Sequence, residues 1–533
     1  MSVEQFDYIV VGGGSGGSTV AGRLAEAGAQ VLVLEAGGTD RRPDVLIPAG
    51  LVVAYSTCNW KYIPEPDPTR GGSIEAWPAG KILGGGGAIN AGVFVRGNPA
   101  DFDGWAEAGA TGWGFDAVLP YFRRMETWSG PSSEFRGTAG PISVGYQTVQ
   151  HGSTEPFIAA AMSCGHEFTE DYNGERQVGV GYGQVNQRRG VRSHASREYL
   201  RRLHIGTPVT VRHRAFVTRL LFDGNRAVGV EYRRWGRTHR CHARAEVVLA
   251  AGALITPKLL MLSGIGPSAH LSDASVERRV DLPGVGRNLQ EHPAVFQRWV
   301  SKCPTLNTIG VGSVVRGIGE YAVSREGLLT TSPYQAQVMH KTRPDLNAPD
   351  IQVGFSCFAT ERIVGNRGKV RVQPTRWAGL QTTTVFLHPR YRGRISIRSA
   401  DPQAPPVIRH DLLGTEEDTR DLLAGLAEAR RIMAHGEMKD VVGPMCGAEK
   451  DCRTDADWLE FVRVNATNGA HPVGTCALGA DENAVVDTDL RVRDVEGLRI
   501  SDASVIPTAI SGNTNAATMM IGERAAQAIL DHA

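Results

Sequence analysis

Among the residues able to move a proton near neutral pH, one histidine sits in an unusual setting: Gly469-Ala470-His471-Pro472-Val473-Gly474. A neutral imidazole accepts a proton in this pH range and needs only modest repositioning to act as a general base. Pro472 and Gly474 argue against a helix interior, which puts His471 on a shaped loop. The chain holds 15 histidines, so residue type alone does not single this one out. Asn513 and Asn515 stand in Ser511-Gly512-Asn513-Thr514-Asn515 at the head of the last helical pattern. Their amides either cap that helix or point into a pocket. No HExxH or comparable ligand spacing is present, so no metal is expected.

A second group of residues is suited to holding phosphate. Gly12, Gly14 and Gly17 supply GxGxxG directly after the apolar run 8–11. The first glycine makes the tight turn, the second lets the backbone approach a pyrophosphate, and the third lets a helix lie close on the sheet. Free N–H groups in that helix's first turn face the phosphates. Residues 31–34 form the next strand, and Glu35 ends it where a carboxylate accepts both ribose hydroxyls. An acid there disfavours a 2′-phosphate, so FAD or NAD is expected over NADP. Further on, Gly84 to Gly87 are four consecutive glycines, read as a loop held close to something flat or phosphorylated, with a helix possible from Ala88. The alternative is a flexible surface loop.

These residues need a scaffold. The runs 8–11 and 31–34 read as buried parallel strands. Residues 209–213, 215–222 and 227–232 alternate well enough for strands, with Asp223-Gly224 as a hairpin turn. A second strand–glycine–helix unit follows: 246–251, Gly252, then a helix opened by Thr256-Pro257. The nucleotide-binding part is therefore assembled from separated segments. Helices are expected over 153–164, within 105–125 with Asp116 as N-cap, over 416–435 and 455–464, and from 516 to 530. Residues 370–372, 382–387 and 394–398 read as strands of one large sheet.

Bulk properties bound the rest. A chain of 533 residues is long for one core, so two domains are expected. Formal net charge is +1, with no basic or acidic tail to suggest nucleic acid. The eight cysteines form no CxxC pair, which favours free thiols in a reducing compartment. No secretory leader is expected ahead of the first strand, and the apolar run 247–262 is too broken to span a membrane. A cytoplasmic location follows as the expectation.

With these motifs in view, the chain resembles the glucose–methanol–choline (GMC) family of FAD-dependent oxidoreductases over nearly its whole length. The resemblance rests on GKILGGGGAINAGVFVRG (80–97), GALITPKLLMLSGIG (252–266), VGRNLQEH (285–292), HPVGTC (471–476) and DASVIPTAISGNTNAATMMIGE (502–523), in that order. It implies an α/β FAD-binding, Rossmann-like domain interleaved with an α+β substrate domain built on a six-stranded antiparallel sheet. The division implied is 1–297 mainly FAD-binding with cofactor-covering and substrate-side excursions, 298–464 substrate-binding, and 465–533 returning to the FAD-binding part with the catalytic histidine and asparagine. His471 is similar to the family's catalytic histidine, and Asn513 falls where the family has a second active-site histidine or asparagine. The implied cofactor set is Gly12, Gly14, Ser15, Gly17, Glu35, Ala36, Gly84, Gly85, Asn90, Ala91, Val217, Ala251, Asp502, Ala503, Asn515 and Ala516. The implied reaction oxidises an alcohol to a carbonyl, with His471 taking the hydroxyl proton, Asn513 orienting the oxygen and hydride passing to flavin N5. Electrons then go to O2 or to a quinone or other carrier.

Three departures from the family pattern carry information. Ile89 replaces the histidine that tethers flavin in covalent members, so dissociable FAD is expected. Gly84 to Gly87 lose two hydroxyls common in relatives. Ala470 stands where many relatives have an aromatic ring, leaving room for a bulkier substrate. Leu306, Tyr334, Phe355 and Phe358 are expected to line the pocket, and an aromatic, heteroaromatic or bulky alcohol is expected as substrate. Sugar, polyol, choline or aliphatic alcohols are the alternatives within the family. Other classes are a non-redox, flavin-containing hydroxynitrile-type lyase related to the family and a nicotinamide-dependent dehydrogenase.

Overall fold

The structure is a computed structural model describing residues 4–203, 206–364 and 370–532. Its first sheet runs in the order Phe216–Asp223, Arg226–Arg234, Arg237–Leu249, Glu4–Val11, Val31–Glu35, Val209–His213, with Leu498–Ile500 paired to Arg237–Leu249. Glu4–Val11 lies parallel to both neighbours, with Val11 opposite Leu249 on one side and Leu34 on the other. Leu249 in turn pairs with Ile500 in parallel. Four strands from distant parts of the chain thus end side by side, and the loops that follow them share one rim. Ligands of open α/β sheets bind at such a rim. The alternation is weak here because both faces are covered: Ile9, Val10, Val31, Leu32, Val33 and Val248 are all fully buried.

Helices Ser15–Glu26 and Asn515–Leu530 pack together on this sheet. Their contact is tight because Gly522 leaves out a Cβ that would lie 2.7 Å from that of Thr19. It is clamped by the fully buried Glu523, which accepts hydrogen bonds from Arg23, Arg124 and Tyr199.

The second sheet is antiparallel throughout, in the order Val442–Cys446, Pro293–Ser301, Gly379–Phe386, Ile351–Ser356, Tyr334–His340, Gly179–Tyr182. A two-residue strand, Thr467–Asn468, pairs with Pro293–Ser301 as a seventh member. Here the period of two is clean. Ile351, Val353 and Phe355 enter a core beneath helix Glu416–Met433, while Gln352, Gly354 and Ser356 face a cavity.

Several expectations are corrected. The sheet has seven strands rather than six. Strand Pro293–Ser301 runs across position 297/298, and Gly179–Tyr182, within the first 297 residues, also belongs to the second sheet. Of the three strands expected in one large sheet, only Gly379–Phe386 is there. Val370–Pro374 and Arg394–Ser396 each belong to separate two-stranded ladders. The glycine run is partly helical: Gly85–Ile89 form a short helix capped by Gly84, because two positive φ angles, 93° and 55° at Gly84 and Gly85, turn the chain into it. Gly114, not Asp116, is the N-cap of Phe115–Met125. Thr256 does not cap its helix; its hydroxyl donates to Asp502 instead. Among the described residues no helix is long and apolar enough to cross a membrane.

Candidate functional site

A cavity of about 1040 Å3 runs from the shared strand-end rim to the polar face of the second sheet. His471 lies on its wall, carried by an irregular segment whose Val473 forms an antiparallel bridge with Gln290. The His471 backbone N–H donates to both oxygens of Glu291, at 2.9 and 3.0 Å, which fixes where the ring starts. Asn513 Nδ2 donates to His471 Nε2 at 2.9 Å. Gln352 Nε2 donates to Asn513 Oδ1 at 3.3 Å, an arrangement that keeps the Asn513 amide nitrogen toward the ring. With Nε2 accepting, the remaining ring proton sits on Nδ1 and is donated to His292 Nδ1, 3.1 Å away. His471 therefore presents its unprotonated nitrogen to the cavity.

Burial reinforces that state. It pulls the His471 pKa down to about 4 and holds His292 well below the ordinary imidazole value. Burial also pushes Glu291 up to about 8, outweighing the backbone N–H groups that favour its carboxylate. Asn513 and Asn515 do not cap the closing helix: Thr514 is its N-cap and offers no side-chain bond. Asn513 turns to His471, and Asn515 Oδ1 accepts from Ser15 Oγ at 2.6 Å, tying the two helix starts together.

The other end of the cavity is built from glycine. A Cβ at Gly12, where φ is 102°, would lie 2.3 Å from the Ala250 carbonyl oxygen. One at Gly17 would lie 2.0 Å from the Gly12 carbonyl oxygen, so helix Ser15–Glu26 touches the strand turn only because no side chain intervenes. One at Gly85 would meet Gly14 Cα at 2.8 Å, which brings the two glycine loops face to face. Gly14 is the N-cap of the first helix and makes no side-chain cap, leaving first-turn N–H groups for an anion. Glu35 lines the wall, accepting from Gly13 N at 3.0 Å and Gly37 N at 2.6 Å; a carboxylate retains further lone pairs for ribose hydroxyls. Burial pushes its pKa up to about 7. Asn90 Oδ1 accepts from Arg192 and from Gly92 N, and Asn90 lines the cavity. Asp502 accepts from Gly252 N, Thr256 Oγ1 and Ser504 N, locking the 252–256 segment to the 502–504 turn.

Gly12, Gly14, Ser15, Glu35, Ala36, Gly85, Asn90, Ala91, Val217, Ala251, Asp502, Ala503, Asn513, Asn515 and His471 all line this single cavity. Gly17, Gly84 and Ala516 lie behind its wall, where they permit close packing. Of the four expected pocket residues, Tyr334 and Phe358 line it. Phe355 is instead stacked on Phe157 at 4.3 Å in the second core, and Leu306 packs against the same core, because both fall on the apolar phase of their segments. Sequence reasoning missed Glu291, His292, Gln337 and Gln352. The available signal was the Glu-His end of 285–292 and the glutamines placed inside otherwise apolar strands.

Two profiles of the GMC oxidoreductase family match the chain, over residues 6–294 and 389–522. The chain belongs to the GMC oxidoreductase family. It is an FAD-dependent enzyme acting on CH–OH donors. Its similar relatives include an oxygen-dependent choline dehydrogenase of Sinorhizobium medicae, 37% identical over 99% of this chain and 96% of that protein. Among solved structures, pyridoxine 4-oxidase from Mesorbium loti is 27% identical, with a TM-score of 0.88 over 98% of each chain. An Aspergillus oryzae formate oxidase is 25% identical, with a TM-score of 0.91 over 100% of this chain and 99% of that one. The residues present fit FAD: a glycine cradle with free helix N–H groups, an acid at the second strand's end, and a continuous space from there to His471.

Proposed function

We propose that this GMC enzyme oxidises a neutral, ring-bearing or otherwise bulky polar alcohol to its carbonyl, with His471 as general base and Asn513 as the group that orients the substrate oxygen. The observation that carries this reading is the His471 Nε2–Asn513 Nδ2 pair on the cavity wall. An alcohol oxygen beside both atoms accepts from Asn513 and donates its proton to the His471 lone pair. When bound, FAD supplies the two-electron acceptor for the hydrogen on the substrate carbon. Gly12, Gly14, Ser15, Glu35, Asn90, Ala251, Asp502, Ala503 and Asn515 would hold it. Ile89 offers no nucleophile for a covalent link, so the FAD is taken as dissociable.

The choline reading has the relatives' printed name in its favour. The chemistry of the wall favours a neutral substrate. Only two acids line the cavity among the described residues, Glu35 and Asp502, and both are occupied by backbone N–H groups at the strand-end rim. On the second-sheet side the cavity is lined by Gln337, Gln352, Ser356 and Thr383, uncharged donors and acceptors, with the rings of Phe296, Tyr334 and Phe358 but no carboxylate among them. A quaternary ammonium wants a carboxylate or an aromatic cage. The bare Ala470, at the cavity's edge with φ 65°, leaves space for a ring.

The FAD-binding part is taken to comprise the first sheet and its helices, with the second sheet and helix Glu416–Met433 forming the substrate side. Eight free cysteines are in keeping with a reducing, cytoplasmic setting. The relatives' name makes O2 the first electron acceptor to try, ahead of quinones. The deciding experiment is an anaerobic flavin-bleaching screen across aryl and heteroaryl alcohols, polyols, sugars, aliphatic alcohols and choline. Bleaching by ring-bearing or bulky alcohols is expected. Fast bleaching by choline alone would reverse the substrate assignment while leaving the alcohol chemistry in place.

A further inference from the structure

The strands Tyr334–His340 and Ile351–Ser356 place two glutamines on the cavity face, almost wholly buried and diagonal across the ladder, Gln337 opposite Gly354 and Gln352 opposite Met339. Gln352 Nε2 donates both to Gln337 Oε1 and to Asn513 Oδ1. Among the described residues, Gln337 Nε2 donates to nothing, although the side chain is 1% exposed and lines the cavity. An amide donor that faces a cavity and has no protein partner is normally satisfied by water or kept for a ligand. The three amides form a continuous chain from His471 to this free donor. Each link fixes the orientation of the next.

Building on the proposed alcohol-oxidising site, we propose that Gln352 is a positioning residue that fixes the Asn513 amide, and that Gln337 presents Nε2 to an acceptor atom on the substrate remote from the reacting hydroxyl. The substrate is then an alcohol carrying a second acceptor, such as a ring nitrogen or ether or carbonyl oxygen. Gln337 is the residue that selects for it. A site built to bond a polar group discriminates against analogues lacking that group far more strongly than an apolar wall discriminates by size.

The test uses isosteric alcohols that differ only in the acceptor: 3- and 4-pyridinemethanol against benzyl alcohol, with the FAD-loaded enzyme. For the wild type, a lower KM is expected for at least one pyridinemethanol than for benzyl alcohol. Gln337→Leu should raise the KM for that pyridinemethanol about tenfold and leave benzyl alcohol within twofold. Gln337→Met serves as a second variant, and FAD content is measured for both. Equal changes for the two substrates, or no change for either, would overturn the assignment of Gln337.

For Gln352 the readout is a pH profile. Gln352→Glu keeps the shape but cannot donate to Asn513 Oδ1, so the Asn513 amide turns and its oxygen faces His471 Nε2. That geometry favours a protonated ring, and the acid limb of flavin reduction should move up by at least a pH unit for both substrates. An unmoved acid limb would overturn the positioning role. Failure of every alcohol to reduce the wild-type flavin would remove the underlying reading, an outcome visible before any variant is made.

Discussion

At the scale of residues, the site is a set of choices about which nitrogen carries a proton. Asn513 takes the lone pair of His471 Nε2 in the free enzyme, His292 takes the proton of Nδ1, and Glu291 holds the backbone. Removing the base, as in His471→Ala, should slow anaerobic flavin reduction by ~10²–10⁴ while FAD remains bound. Stopped-flow bleaching checks this, and a wild-type rate in the variant would remove His471 from the mechanism. His292→Phe keeps an aromatic ring in place but deletes the acceptor for Nδ1–H. It should lower the same rate by about 10² through lost orientation, with little change in FAD content. The depressed pKa of His471 fixes the pH dependence. The ring is neutral above about 4, so reduction should be level across the neutral range and fall only as pH approaches that value. An acid limb near the ordinary imidazole value, about 6.5, would contradict the burial seen here. The same shift has a stability consequence. The unfolded ring protonates at the ordinary value and the folded ring only near 4, so His471 contributes a loss of stability as pH falls through that window.

At the scale of elements, what could be read from the sequence follows from how local each cause is. The strand–glycine–helix unit around Gly12 is legible because turn, phosphate approach and close helix packing are all encoded within twenty residues. The closing helix was legible for the same reason. For Asn513 local chemistry leaves a cap and a pocket role open, the family resemblance favours the second, and the arrival of the loop at 469–474 gives it His471. The antiparallel sheet was read poorly because its strands mix apolar and amide residues. Gln337, Gln352 and Gln381 break the apolar runs on the face that borders the cavity. The hairpin at Val370–Pro374 has strand chemistry, but nothing in its own residues says which sheet it joins. Packing between elements gives a direct test at Gly17. A methyl there meets the Gly12 carbonyl oxygen at 2.0 Å and Ala250 Cβ at 2.9 Å, so Gly17→Ala must lift the first helix from the strand turn. A loss of ~1–3 kcal/mol and weaker FAD retention are expected, measured by denaturant midpoint and by flavin absorbance after gel filtration. Gly38→Ala is the control, since a Cβ there meets nothing within 4 Å. Equal behaviour of the two variants would show that helix–strand contact does not set the site.

At the scale of the whole molecule, the cofactor space is enclosed by segments far apart in the chain, joined by a few long-range bonds. Ser15 reaches Asn515, Thr256 reaches Asp502, and Arg192 reaches Asn90, with the cavity between them. A ligand filling such a space contacts all of these segments in the folded state and none of them together in the unfolded one. FAD should therefore behave as a stabilising ligand by mass action, provided that it is free to leave. Ile89 decides that second point: it is buried against Ile82, Ala88 and Val45 on the wall of the cavity and has no atom that could bond to a flavin methyl group. Protein stripped of flavin at high salt and mildly acidic pH should melt at a lower temperature than the holoenzyme. Added FAD should restore the loss in proportion to the logarithm of its concentration, by about 2.7 kcal/mol at a hundredfold excess over Kd. Acid precipitation of the holoenzyme should leave the yellow colour in the supernatant. Colour retained in the pellet on a peptide spanning residues 80–97, with a melting temperature indifferent to added FAD, would mean a covalent bond formed by some other side chain, and the argument from Ile89 would fail.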